Sequence, residues 1–141
     1  MEGPIKVGYT RYMPRRANTP EVEAALDASI AMLTDAGYVC EEVALPNFDA
    51  MIADAEGCFF GDLLTHLTPM VREHGSATVN RIFDSYFDYF PTFQGEELMM
   101  GLGRRSQHVR DYLLFLEQYP LVLTPFMLVP TQAWDRDAQS H

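Results

Sequence analysis

Between Ile5 and Leu45 the chain alternates two short β-favouring runs with one amphipathic helix, and that alternation limits it to the α/β class. Ile5 to Tyr9 follows Gly3-Pro4 and reads as a strand. Thr19-Pro20 then marks a helix start, with Thr at the N-cap, Pro at the first helical position and Glu21 and Glu23 in the first turn. Val22, Leu26, Ile30 and Leu33 recur on one stripe, and Gly37 supplies a left-handed C-cap. Val39 to Leu45 reads as the second strand, stopped by Pro46. Its Glu41 and Glu42 suit a sheet edge, where charge deters pairing with other chains. If the two strands are parallel neighbours, the crossover is right-handed. The connection TRYMPRRAN holds no GxGxxG or GxxxxGK[ST], so it offers no glycine cradle for a phosphate.

Downstream, Asn47 is a candidate N-cap for a helix running to about Leu67, ahead of Thr68-Pro69. A further helix is expected over Ala77 to Phe87. A long one follows from about Glu96 to Tyr119, with Leu98, Leu102, Val109, Leu113 and Leu116 on one face. Gly101 and Gly103 weaken its propensity, which predicts a kink or a late start there. Leu121 to Thr124, closed by Pro125, has the apolar run of a buried parallel strand. The expected architecture is therefore an α/β domain, helix-rich, with a small, mainly parallel sheet of three strands covered by four or five helices. It is read as one domain over residues 1–141, with a polar, loose tail from about 131 to 141 that carries Trp134.

The 141 residues, 48% of them hydrophobic, suffice for a core without metals or disulfides. Cys40 and Cys58 are too few for a disulfide framework and read as free thiols in a reducing cytoplasm. No stretch reaches the ~18 apolar residues of a membrane span, and MEGPIKV lacks a signal-peptide core. A formal charge of −10 repels phosphate backbones and argues against nucleic acid as a partner. The arginines cluster as Arg11, Arg15, Arg16 and as Arg104, Arg105, Arg110. Solvated faces balancing nearby acids are the plain reading of these clusters, an anion site the sharper one.

Motifs for chemistry are scarce. Among His66, His74, His108 and His141 there is no HExxH, HxH or Cys/His cluster. Asp62 and His66 stand four apart on an expected helix, a spacing that serves a metal or, more often, a surface hydrogen bond. No metal site and no cofactor are expected. Asp84 and Asp88, also four apart, fit a solvated helix face better than a pair of catalytic carboxylates. No serine lies in GxSxG, and Cys58 beside Gly57 reads as a small core residue. The densest feature is aromatic: Phe83, Tyr86, Phe87, Tyr89, Phe90 and Phe93 follow closely on Phe59 and Phe60. These rings are either helix-packing core or, in part, a surface for a partner or an apolar ligand.

Two stretches, IKVGYTRYMPRRANTPEVEAALDASIAMLTDAGYVCEEVALPNFD and RRSQHVRDYLLFLEQYPLVLTPFMLVP, resemble the amidase signature family. The more diagnostic part is FLEQYPLVLTPFMLVP, similar to the stretch in which a long helix feeds a buried strand ending in Thr-Pro. The resemblance implies the fold of an interior section of that α/β/α architecture and a parent reaction that hydrolyses a carboxamide to a carboxylate and ammonia. The family's chemistry uses a serine nucleophile, a second serine in a cis peptide and a lysine, on segments rich in glycine and serine. This chain has Ser29, Ser76, Ser85, Ser106 and Ser140, no two adjacent, and the single lysine Lys6, so no catalytic residue carries over.

In parallel sheets ligands collect outside the carboxyl ends of the strands. Thr10, Arg11 and Tyr12 after strand one, with Thr124 and Pro125 after strand three, are therefore the candidate substrate-lining residues, Arg11 being the natural partner for a carboxylate or amide oxygen. Phe83, Phe87, Phe90, Tyr112 and Phe115 are the candidates for an interface, either with a second copy in a dimer or with the missing part of an amidase. The leading expectation is a non-catalytic segment of an amidase-type hydrolase, inactive alone. The alternatives are a free-standing protein–protein interaction module and, behind it, a small enzyme using Asp62, His66 and an arginine.

Overall fold

The computed structural model describes residues 3–131, and Trp134 with the tail beyond lies outside them. Within that span the chain divides into two compact units, one of residues 3–48 and 109–131 and the other of residues 49–108.

The first unit is built on the strand–helix–strand pattern. Its elements are β1 (Lys6–Tyr9), α1 (Pro20–Asp35), β2 (Val39–Glu42) and β3 (Leu121–Leu123). All three strands are parallel in the order β2-β1-β3, with Val7 opposite both Cys40 and Leu121. β2 is an edge strand, as Glu41 and Glu42 suggest. In regular form it stops at Glu42, three residues short of the expected end at Leu45, although Val43 N–H still bonds the Tyr9 carbonyl at 2.8 Å. α1 starts where Thr19-Pro20 predicts, but the extended backbone of Thr19 does this without a capping bond from its hydroxyl. Its other end is closed by Gly37 at φ 91°: Gly37 N–H bonds the Thr34 carbonyl at 2.9 Å and Tyr38 N–H the Leu33 carbonyl at 3.1 Å. That pair of reverse bonds satisfies two carbonyls the last turn would otherwise leave open.

α1 lies on the sheet face that carries Cys40, whose Sγ is 3.9 Å from the Ile30 carbonyl, and its register partner Val7, which is 2% exposed; Leu26 is the buried residue of α1. On the opposite face, Tyr119 lies over Gly8, where a β-carbon would meet its ring at 3.2 Å. Lys6 and Glu41 flank the same spot, joined at 2.8 Å, and the Tyr119 hydroxyl donates to Glu41 at 2.6 Å.

The second unit is helical. It holds α2 (Phe48–Asp62, its first residue belonging to the other unit), a π-helical turn (Leu63–Leu67), α3 (Thr68–His74), α4 (Ala77–Tyr89) and the first turns of α5 (Gly95–Gln118). The sequence suggests a stop at Thr68-Pro69, yet the helical path continues to His74. The wide turn explains this: Thr68 N–H reaches back to the Leu63 carbonyl, five residues away, and its hydroxyl donates to the same oxygen at 3.1 Å. A wider turn ahead of a proline eases the clash between its ring and the preceding carbonyls. α4 begins behind Ser76, whose side chain accepts from Val79 N–H at 3.3 Å. Neither Gly101 nor Gly103 ends α5, which runs unbroken from Gly95. Gly101 is instead a packing residue, where a β-carbon would stand 2.8 Å from Cys58 Sγ.

Candidate functional site

A cleft of about 490 Å³ opens in the first unit between the first half of α1 and the segment that leaves β3. Val22, Ala25 and Leu26 form one wall, and Leu123, Pro125 and Met127 stand on the other. The segment is tied back to the start of α1 by the bond from Thr19 N–H to the Leu128 carbonyl, 2.9 Å. Phe126 stands at the rim, 97% exposed. Among the described residues only Glu21 brings charge to the lining, and Ser29, Thr124 and Thr131 bring hydroxyls. Glu21 takes a hydrogen bond from its own backbone N–H in the first turn of α1, which holds its carboxyl below the usual range. With a carboxylate and no cation among the described residues of its lining, the cleft suits an uncharged apolar body better than an anion.

The five residues expected to line a ligand site separate on this geometry. Thr124 and Pro125 do line the cleft. Thr10 is 3% exposed and bonded to β3 through its backbone N–H, 3.2 Å from the Leu123 carbonyl. Arg11 turns to α1, with Nη1 2.6 Å from Glu23 and Nη2 2.5 Å from Asp27. These two carboxylates push its guanidinium pKa up and occupy the fork that would otherwise meet a ligand. Tyr12 is exposed and packs edge-on against Phe48, ring centres 6.4 Å apart.

The five interface candidates are half-buried, each with a neighbour in its own unit. Phe90 stacks on Phe60 at 4.1 Å, and Phe83 meets Phe87 at 6.0 Å. Tyr112 meets Phe115 at 6.4 Å, and Phe115 stacks on Tyr119 at 5.1 Å.

A second constellation, in the helical unit, went unread in the sequence. Asp54 of α2 is 9% exposed and receives Arg104 Nε at 2.8 Å and Nη2 at 2.6 Å from α5. His108, one turn further along α5, places Nε2 2.9 Å from the same carboxylate. Arg104 and then His108 bring the Asp54 carboxyl down to about 2, against the opposing effect of burial. So weak a base, with both oxygens engaged, is a structural anchor and no proton acceptor. Cys58, one turn along α2, has its thiol pKa raised by burial and then by the Asp54 charge, which makes it a poor nucleophile. Asp62 and His66 stand 3.6 Å apart with both side chains exposed, a surface pair. No group of three His, Cys, Asp or Glu able to hold a metal occurs among the described residues.

No protein-family model matches the chain. It is similar to an indoleacetamide hydrolase of Bradyrhizobium japonicum, 29% identical over 140 residues, an alignment covering 92% of this chain and 28% of that protein. An indoleacetamide hydrolase of Bradyrhizobium diazoefficiens is 26% identical over 140 residues, covering 92% of this chain and 25% of that one. Its distant relatives are amide hydrolases by name. The chain spans about a quarter of the length of the curated relatives it matches. None of its described helices is long and apolar enough to cross a membrane.

Proposed function

We propose that the chain is a non-catalytic segment of an amidase-signature-type carboxamide hydrolase, inert as a hydrolase by itself, whose cleft after β3 houses the apolar part of an amide substrate. The observation that carries this reading is the similarity to two indoleacetamide hydrolases along nearly the whole chain but only a quarter of theirs. The residues agree with it. Lys6, the one lysine, is paired with Glu41, which raises its pKa and keeps it a cation where a base would have to be neutral. Ser29 and Ser85 donate their hydroxyls to the Ala25 and Ile82 carbonyls in their own helices, and Ser76 serves as the α4 cap. A serine becomes a nucleophile through a positioned base and an oxyanion hole, and these three hold neither. The charge in the cleft points the same way: a neutral aryl amide enters beside Glu21 more readily than its carboxylate product.

The test is direct. Indole-3-acetamide added to the purified chain should give no ammonia, and should shift the amide resonances of Val22, Leu26 and Thr124 before any others. Steady ammonia release abolished by replacing one serine would refute the first half of the reading. Shifts confined to the helical unit would refute the second.

A second reading, a free-standing interaction module, draws on the apolar side chains left open to solvent: Leu113, Leu114 and Val109 on α5, and Phe59 on α2, all more than 40% exposed. It predicts capture of a partner chain that Leu113→Glu abolishes.

A further inference from the structure

The first two turns of α1 carry three carboxylates, and two of them are occupied. Arg11 reaches Glu23 at 2.6 Å and Asp27 at 2.5 Å, and Asn18 Nδ2 donates to Glu23 as well. Glu21, the third, pairs with no cation among the described residues, and its own backbone N–H is the main group holding its carboxyl in the charged form. It is also the one of the three that lines the cleft. Ser29, the other polar residue on that wall, spends its proton on the Ala25 carbonyl at 2.8 Å. Across from them Pro125 and Pro130 have no N–H to offer. Among the described residues the α1 wall therefore accepts hydrogen bonds and donates none from a side chain, and Val22, Ala25 and Leu26 around its acceptors are apolar.

We propose that the aromatic body seated in the cleft carries a hydrogen-bond donor of its own, a ring N–H or a hydroxyl, and that Glu21 accepts it. The proposal rests on the reading of the cleft as the seat of an amide's apolar part, and it makes Glu21 the residue that selects among such amides. A ring entering beside Val22, Leu26 and Leu123 sheds the water around its donor, and a donor left bare there costs binding energy. A carboxylate answers that need best, since it only accepts and its charge strengthens the bond. A ring without the donor strips water from Glu21 and gives no bond back, so it is disfavoured. The Thr124 hydroxyl on the other wall both donates and accepts, and so imposes no such choice. Glu21 is exposed, so water competes for it. The discrimination is therefore about tenfold, far below the roughly 10⁴-fold that a fully buried polar site reaches.

The test titrates the whole purified chain with indole-3-acetamide and with 1-methylindole-3-acetamide, which differ only in the ring N–H, and follows the amide resonances of Val22, Leu26 and Thr124. The N-methyl compound should bind about tenfold more weakly. Glu21→Ala should close that gap to about twofold, by weakening the N–H compound and leaving its N-methyl analogue where it was. Glu21→Gln keeps an acceptor oxygen without the charge and should fall between, so the result does not hang on one variant folding. Equal binding of the two compounds by the unaltered chain overturns the proposal and leaves the cleft reading standing. A gap that survives both substitutions overturns it too, because the methyl group is then excluded by shape and not by Glu21. If neither compound shifts these resonances, the cleft reading itself fails and the proposal falls with it.

Discussion

Arg104 grips Asp54 with two nitrogens, Nε at 2.8 Å and Nη2 at 2.6 Å, across fifty positions of sequence. The carboxylate is almost fully buried and the guanidinium reaches solvent, so the greater part of the desolvation cost falls on the carboxylate. His108 adds a third bond to the same group. The carboxyl's fall from 3.8 to about 2 means that the folded state holds the charged form more tightly than the unfolded state does. A depressed carboxylate contributes stability that is present above its unfolded value and is lost as pH falls through the folded one. Asp54→Asn should therefore cost about 2 kcal/mol at neutral pH. It should also flatten the loss of stability between about pH 4 and pH 2. Denaturant melts of both proteins across that range would check the size and the sign.

The strands, the α1 boundaries and the edge position of β2 were legible because each rests on local chemistry: apolar runs, Thr19-Pro20, Gly37 and two glutamates. The continuation past Thr68-Pro69 was not, since a π turn depends on how Leu63 and Thr68 share a carbonyl, and no periodicity shows that. Arg104 read as a solvated charge because its partner is fifty residues away. The available signal was a double one, Asp54 and Cys58 four apart on one helix and Arg104 and His108 four apart on another. That pattern shows two faces but does not show that they meet. At the sheet, Thr124 and Pro125 line a cleft at the strand end to which the rule for parallel strands points. Arg11 stands at the right strand end, but the acidic face of α1 competes for it, and Glu23 and Asp27 occupy it.

Lys6 and Glu41 test how much a surface pair contributes. Both side chains are substantially exposed, so solvent screens the 2.8 Å contact. Lys6→Met should leave stability nearly unchanged. Removing the lysine also returns the Glu41 carboxyl toward its ordinary range, because Lys6 is the main group holding it down and the Tyr119 hydroxyl the lesser. A carboxyl titration followed by NMR should show Glu41 moving up in Lys6→Met and moving less in Tyr119→Phe.

Cys58 should be slow to react. Burial, followed by the neighbouring Asp54 charge, raises its thiol pKa, and the thiolate is the reactive form. In the native protein at pH 8, iodoacetamide should modify Cys58 about tenfold more slowly than a free thiol, and denaturant should remove the difference. Asp54→Asn should speed the native reaction by withdrawing the charge. Mass spectrometry of quenched time points separates Cys58 from Cys40.

Gly61 tests whether the close packing inside the helical unit has any slack. It is buried on α2, and a β-carbon there would overlap the carbonyl oxygen of Phe93, with the Phe93 nitrogen and carbonyl carbon each 3.0 Å away. Those are backbone atoms, and the same residue is fixed from below by the bond from Phe93 N–H to the Gly57 carbonyl, 2.9 Å. A flexible side chain could turn aside, but this segment can move only by breaking that bond or shifting the helix. Gly61→Ala should gain up to about 1 kcal/mol of helix propensity and lose more to overlap. The net loss is expected at about 2 kcal/mol or above. Gly103, by contrast, has nothing within 4 Å of a β-carbon and sits in the middle of α5. Gly103→Ala should therefore stabilise the chain by about 0.5–1 kcal/mol. Thermal melts of the two variants side by side check the contrast, and a Gly61→Ala protein as stable as Gly103→Ala would show that the approach of Phe93 to α2 is looser than this packing requires.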